Sequence, residues 1–242
     1  MEIIHTVPSL GENGGGPPRS VSQLCNALGE LDVSIGISTR VDPDDPIVPL
    51  SEKIHLSGLQ PLSKSLLGRL NATDFEDALS LANMKSPISV VHQHGLWMAA
   101  SHAVTNFASK NKIPLVLAPR GMLEPWAINN SKWKKKLAWM LYQKRDLEKV
   151  DVFHATAHSE AESIRRLGFK QPIAVIPNGV ELPEVADGRW NMVDGESDLR
   201  SSNVDLPRQR TALFLSRIHP KKGLPMLLDA WKKLAPKGWR LV

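Results

Sequence analysis

The sequence has a single cysteine, Cys25. No intramolecular disulfide can close, and with no second cysteine nearby a zinc knuckle is excluded as well. Cys25 instead suits a small core position. Long hydrophobic runs are also missing: no stretch approaches the roughly 18 to 20 apolar residues of a membrane-spanning helix. The opening MEIIHTVPSLGENGGG lacks the basic, apolar and small-residue zones of a signal peptide. The expectation is a cytoplasmic protein. No repeat with a period of about 20 to 50 residues and no low-complexity tract competes with a globular reading. The G-x-G-x-x-G fingerprint and its acidic ribose partner are absent too, which argues against hydride transfer.

What is present is an ordinary globular composition, 42% hydrophobic and 23% charged over 242 residues. That length suits one large domain, or one domain with part of another. The net charge of +5 is local: residues 111–150 hold nine Lys or Arg against three Asp or Glu, so the remainder is close to neutral. A patch of that kind invites an anionic partner.

EIIHTV reads as a strand that stops at the turn-forming loop SLGENGGGPPR. Val21, Leu24, Cys25, Leu28 and Leu31 then fall on one face of a helix. Val33 to Ser38 is strand-like, and residues 41–63 read as loop, interrupted by a weak strand at Lys53 to Leu56. Thr73 with Glu76, and Ser159 with Glu162, have the spacing of capping boxes at helix starts. Ile88 to Val91 has the β-branched density of a buried parallel strand, with HQH where that strand should end. A helix from Ser101 to Ser109, a strand from Pro114 to Ala118, a basic helix over 131–149 and the strands VFHAT and IAVIP continue the alternation. This predicts a doubly wound parallel sheet over residues 1–180. Residues 181–209 lose periodicity and read as a linker. TALFLS, LPMLLDAWKKLA and WRLV restart the strand and helix pattern over 210–242. About 100 residues make a typical domain, so this is the beginning of a second unit, and the chain reads as truncated.

In open parallel sheets the ligand crevice lies at the carboxyl ends of the strands. Four loops there carry candidates. The first holds Gly14, Gly15, Gly16 and Arg19, where glycine admits close backbone approach and the following helix start favours an anion. In the second, alternation puts His92 and His94 on one side, with His94 just past the strand. A metal pair is disfavoured because no carboxylate or cysteine stands near them, whereas a neutral imidazole can exchange a proton or a hydrogen bond. Arg120 and Glu124 follow the third strand, and His158 stands at a helix start after the fourth, as a ligand group or as plain capping context. The sharpest site is Arg217, His219, Lys221, Lys222 and Gly223, between a strand and a helix. Cations beside a helix start suit a diphosphate.

GGGPPRSV, VVHQHGLW, APRGMLEPWA, ATAHSEAESIRRLGF, VIPNGVELP and LSRIHPKKGLPMLLDAW together resemble the retaining nucleotide-sugar glycosyltransferases of family 4. The resemblance covers nearly the whole chain except Pro43 to Asn71 and the linker. It implies a GT-B fold of two Rossmann-like domains, the second only begun here. It assigns Arg217 and Lys222 to the departing donor diphosphate and His94 to the active site near the transferred sugar. Gly15, Gly16 and Arg19 would line the cleft, and Arg120, Glu124, His158 and Asn178 are further donor or acceptor contacts. No metal and no other cofactor is implied, because cations stand where other sugar transferases hold a divalent ion. RGMLEPWA and HGLW are similar to members that build lipopolysaccharide, capsule or exopolysaccharide. The family's closely spaced pair of glutamates has no counterpart before Val242, so weak or absent transfer is expected of this chain alone.

Two questions stay open at the sequence level. Helix 131–149 either packs its Trp133 and Leu137 side on the sheet or lies on anionic lipid at the inner membrane face, as its lysines and apolar anchors suit. The protein is either a glycosyltransferase acting on a glycan or lipid-linked acceptor, or a non-catalytic remnant that only binds one. Nucleic acid is disfavoured because no recognised motif accompanies the basic patch.

Overall fold

The computed structural model of the chain describes residues 1–59, 73–130, 132–180, 210–216, 218 and 222–242. The chain divides into two compact units, Met1–Val180 and Glu181–Val242. The expected linker, 181–209, and residues 60–63 of the expected loop lie outside the described residues.

In the first unit, seven strands form one sheet: β1 (Glu2–Ser9), β2 (Ser34–Arg40), β3 (Ile54–Leu59), β4 (Ile88–His94), β5 (Leu115–Ala118), β6 (Val152–Ala155) and β7 (Ile173–Val175). Their order is β3-β2-β1-β4-β5-β6-β7, and every neighbouring pair is parallel. Helices α1 (Gly16–Gly29), α2 (Thr73–Lys85), α3 (Ala99–Asn111) and α7 (His158–Arg166) alternate with these strands. Between β5 and β6 lie α4 (Pro125–Asn129), α5 (Lys132–Ala138), a π-helical stretch (Trp139–Gln143) and α6 (Lys144–Glu148).

A parallel sheet is covered on both faces, and two buried clusters result. Val21 and Cys25 of α1 pack with Val7, Ile35, Ile37 and Ile54. Phe75 and Leu79 of α2 and Val104 and Phe107 of α3 join Val91, Leu115, Leu117, Phe153 and Ile164. Ile4 and Val7 stand an odd number of residues apart on β1 and fall in different clusters, as alternation requires. Each such large side chain contributes about 1.5 to 3 kcal/mol on burial. Cys25 is fully buried, and burial pushes its thiol pKa up to about 12, so it is an unreactive core residue.

Three sequence expectations are corrected. The weak strand is a full edge strand, β3, paired with β2 from Ile54 to Leu59. The strand expected to stop at Val91 runs on to His94, because pairing with β5 continues to His94 and Ala118. His94 therefore lies within the strand rather than past it. Trp133 and Leu137 do not pack on the sheet: they are 70% and 50% exposed. The π-helical stretch shifts the inward face to Gln143, Asp146 and Leu147, which are buried.

In the second unit, β8 (Arg210–Ala212) and β9 (Trp239–Leu241) pair in parallel around α8 (Leu224–Leu234), the expected restart of the pattern. Among the described residues of this unit no hydrophobic side chain is buried; Leu215, Ile218, Met226 and Leu234 are exposed. Among the described residues of the whole chain, no helix is long and apolar enough to cross a membrane.

Candidate active site

β1 and β4 are neighbours from which the chain winds in opposite directions, to β2 and β3 on one side and to β5, β6 and β7 on the other. Ligand crevices form at such a switch point, outside the carboxyl ends of the strands. Register brings four histidines to one face there. His5 is in register with His92, His94 stands two residues further along β4, and the β5 to β6 register places His154 level with Ala118, the partner of His94. The small Ala118 side chain leaves His154 within reach of His92, at 5.2 Å between ring centroids. His5, His94 and His154 are all buried.

The hydrogen bonds fix the proton positions. Arg120 Nη2 lies 3.2 Å from His94 Nδ1. A guanidinium only donates, so His94 Nδ1 accepts and Nε2 carries the proton. That proton is donated to His5 Nδ1 at 3.0 Å. His5 Nε2 is then a buried N–H, and it has no partner among the described residues. In the second chain the carbonyl of Ile176 only accepts, so His154 Nε2 donates to it at 3.0 Å. His92 Nε2 donates in turn to His154 Nδ1 at 3.2 Å. All four rings are neutral in this arrangement. Burial holds the His5 pKa down to about 4, helped by the charge of Arg120 and by His154. Burial likewise keeps His92 and His94 well below the ordinary histidine value, and lowers His154 against the opposing pull of the Ile176 carbonyl.

Arg120 follows β5 in a turn closed by Met122 N–H donating to the Pro119 carbonyl, with φ of +55° at Arg120 and +76° at Gly121. A left-handed arginine costs on the order of 1 kcal/mol or more and persists where its surroundings hold it. The hold comes from Glu160, buried in the first turn of α7. One of its oxygens accepts from Gly121 N–H at 2.6 Å, the other from the Thr156 N–H and hydroxyl at 2.7 and 2.9 Å. The expected capping box of Ser159 and Glu162 does not form: Ala157 is the cap residue and makes no side-chain bond. Glu160 reaching back to Thr156 takes over that role. Arg120 Nη1 donates to Asn178 Oδ1 and to Ser20 Oγ, the latter at 3.4 Å. It thereby ties the end of the unit to the N-terminal part of α1. Gly15 precedes α1 at φ +84° and offers no side-chain cap, and Pro17 and Pro18 in its first turn carry no backbone N–H.

The fold thus joins Arg120, His94 and Asn178 directly, and brings them to the turn that carries Gly15, Gly16 and Arg19. Arg19 is exposed and without an ion pair among the described residues. Glu124 faces elsewhere, accepting from Ser163 Oγ at 3.0 Å, and His158 is exposed at the start of α7. Lys222 is exposed beside Gly223, the left-handed cap residue of α8. Arg217, His219 and Lys221 lie outside the described residues. Sequence reading missed His5, His154, Ser20 and Glu160. The two histidines sit inside apparently apolar strands, and their polarity there was the only signal.

Nitrogens of His5, His92 and His94 lie within 4.8 Å of one another, the spacing of a metal trio. The chemistry is against a cation: both His94 nitrogens are engaged in hydrogen bonds, and a guanidinium stands 3.2 Å away.

A seven-stranded parallel sheet with its polar cluster at the switch point defines an α/β protein, and its likeness to solved glycosyltransferases gives the fold as GT-B. The model of a glycosyl transferase 4-like domain matches residues 15–179, which span the site from Gly15 to Asn178. The chain belongs to that glycosyltransferase family. No curated protein sequence matches it. Among solved structures, sucrose-phosphate synthase from Thermosynechococcus elongatus is similar with a TM-score of 0.69 at 19% identity, covering 100% of this chain and 61% of its own. The lipopolysaccharide outer core galactosyltransferase WaaB is similar at 0.62 and 15% identity, covering 100% and 60%. Anabaena Alr3699/HepE, solved with UDP and glucose, follows at 0.54 and 16%, covering 100% and 60%. At these identities the likeness concerns the fold, and the chain spans about 60% of the length of each.

Proposed function

We propose that the chain carries the acceptor-side lobe of an enzyme that moves a sugar from a nucleotide-sugar donor to a glycan or lipid-linked acceptor. Anomeric configuration would be retained, and the product would be lipopolysaccharide, capsule or exopolysaccharide. The observation that carries this reading is the assembly of Arg120, His94 and Asn178 at the strand ends, inside the residues that match the family. In the reaction, the bond from the anomeric carbon to the donor diphosphate breaks. The acceptor oxygen bonds to that carbon on the same face, and its proton passes to the departing phosphate. Arg217 and Lys222 stabilise the charge that develops on the diphosphate, so no metal is required. His94, with both nitrogens engaged, holds Arg120 in place beside the transferred sugar. Gly15, Gly16 and Arg19 line the cleft.

The UDP and glucose bound to Anabaena Alr3699/HepE, and the lipopolysaccharide galactosyltransferase WaaB as another neighbour, favour UDP-hexoses as the first donors to test. The purified chain is incubated with a panel of nucleotide-hexoses and extracted lipid-linked acceptors. Weak acceptor-dependent release of nucleoside diphosphate, read over long incubation, is expected of this chain, with the product anomer matching the donor by NMR. Acceptor binding without release from any donor favours the non-catalytic reading, and neither binding nor release sinks both.

The exposed row Trp133, Leu137, Met140 and Leu141, beside the exposed lysines 134, 136 and 144, supports peripheral contact with the anionic cytoplasmic face of the membrane. No nucleic-acid partner is expected.

A further inference from the structure

Arg40, the other arginine among the described residues that is not exposed, shows how this chain treats a structural cation. Arg40 pairs with the Asp74 carboxylate at 2.6 Å and lies over the Phe75 ring. Arg120 departs from that pattern. Half-buried, with its Nε fully buried, it has no ion-pair partner among the described residues. Its hydrogen-bond partners are a hydroxyl, an amide oxygen and a neutral imidazole. Glu160, the acid whose charge it feels, has its oxygens directed to Gly121 and Thr156 instead. Cations removed from water are ordinarily paired; this one has no carboxylate in contact among the described residues, and Glu160 acts on it only at a distance.

Donor geometry specifies what is missing. A guanidinium has five N–H groups. Two Nη1 bonds and one Nη2 bond are made, while Nε has no partner. Nε–H and the second Nη2–H remain; Nε is fully covered, so the donor left for an oxygen of a phosphate or carboxylate is the second Nη2–H. The left-handed backbone at Arg120, held by the Glu160 bond to Gly121, fixes where the fork stands. The histidines beneath are neutral: His94 lends one lone pair to Arg120, and none of them supplies a negative charge to it.

We propose that Arg120 receives an oxyanion, phosphate or carboxylate, carried by the sugar acceptor, so that the acceptor is an acidic molecule. This rests on the sugar-transfer reading above, in which Lys222 and Arg217 of the other unit serve the donor diphosphate.

The test is calorimetry on the 242-residue chain with glucose, glucose 6-phosphate, glucuronate, inorganic phosphate and UDP as probes. At least one acidic probe should bind about tenfold or more tighter than glucose. Arg120→Gln should erase that preference, and Arg120→Lys should keep part of it through a single bond. UDP binding should be the same in all three proteins. Equal binding of glucose and every acidic probe by the wild type overturns the proposal. So does an acidic preference that survives in Arg120→Gln, or a loss in that variant confined to UDP. Should the variants fail to fold, the Arg120 Nε–H resonance of the wild type reports directly: it shifts on adding the preferred acidic probe, and an unmoved signal counts against the proposal. Binding needs no turnover. Failure of the transfer reading therefore shows as absent nucleotide release with oxyanion preference intact, and failure of this inference shows the reverse.

Discussion

Four imidazoles under one guanidinium make stability depend on pH in a definite direction. The His5 pKa of about 4 in the folded chain lies below its ordinary 6.5. Between those values the unfolded chain binds a proton that the folded chain refuses. Stability is therefore complete above about pH 6.5, declines as the pH falls, and has lost the whole His5 contribution near pH 4. A displacement of that size corresponds to about 3 kcal/mol. His92 and His94 are displaced in the same sense and steepen the decline. Urea unfolding at intervals from pH 7.5 to pH 4 should show the loss, and His5→Gln should show a shallower one. Parallel pH dependence in the two proteins would mean that His5 takes a proton in the folded state. Charging is disfavoured by geometry as well as burial: a protonated His94 could no longer accept from Arg120 and would face it as a like charge.

At the scale of elements, the helical run from Lys132 to Glu148 has two working sides. A π turn carries an extra residue, and its effect is to bring Gln143 inward, where its side-chain oxygen accepts from Trp97 N–H at 2.8 Å. Tyr142 donates to the Trp97 carbonyl at 3.0 Å. Together they hold Trp97 at φ +74° in the loop after β4. Asp146 anchors the same run to His102 of α3 at 2.8 Å. Lys135 turns inward as well, donating to the Ala127 carbonyl and lying 5.6 Å above the Trp97 ring. Outward, Trp133 and Met140 are among the most exposed apolar side chains of the first unit. Replacing both by alanine should leave stability within about 0.5 kcal/mol, as expected of surface positions, yet reduce co-sedimentation with anionic vesicles several-fold. Wild-type binding should also weaken at about 0.5 M salt, where charges are screened beyond a few ångströms. Unchanged sedimentation of the variant, or none by the wild type, would remove the membrane from the account.

For the molecule as a whole, both buried clusters are drawn from residues before Val180. The second unit buries no hydrophobic side chain among its described residues. A protein ending at Val180 should therefore unfold in one cooperative transition, with its thermal midpoint within about 2 °C of the full chain by calorimetry. A markedly lower midpoint would show that residues 181–242 support the first unit. The same division separates tasks. The proposed oxyanion site at Arg120 belongs to the unit that holds both buried clusters, and Lys222 to the other.

Local patterning carried the parallel sheet, the glycine turn before α1, and Arg120 and His94 as site candidates, because apolar spacing and turn residues act over a few neighbours; Asn178 was a candidate only through the family resemblance. It misjudged the end of β4 and the inward face of the basic helix, since ladder pairing and a π turn are settled by partners distant in sequence. Nothing local could announce that His5 and His94, 89 residues apart, share a hydrogen bond. Strand order and register decided that, and with it which nitrogen holds each proton and why the arginine above them meets neutral rings rather than a carboxylate.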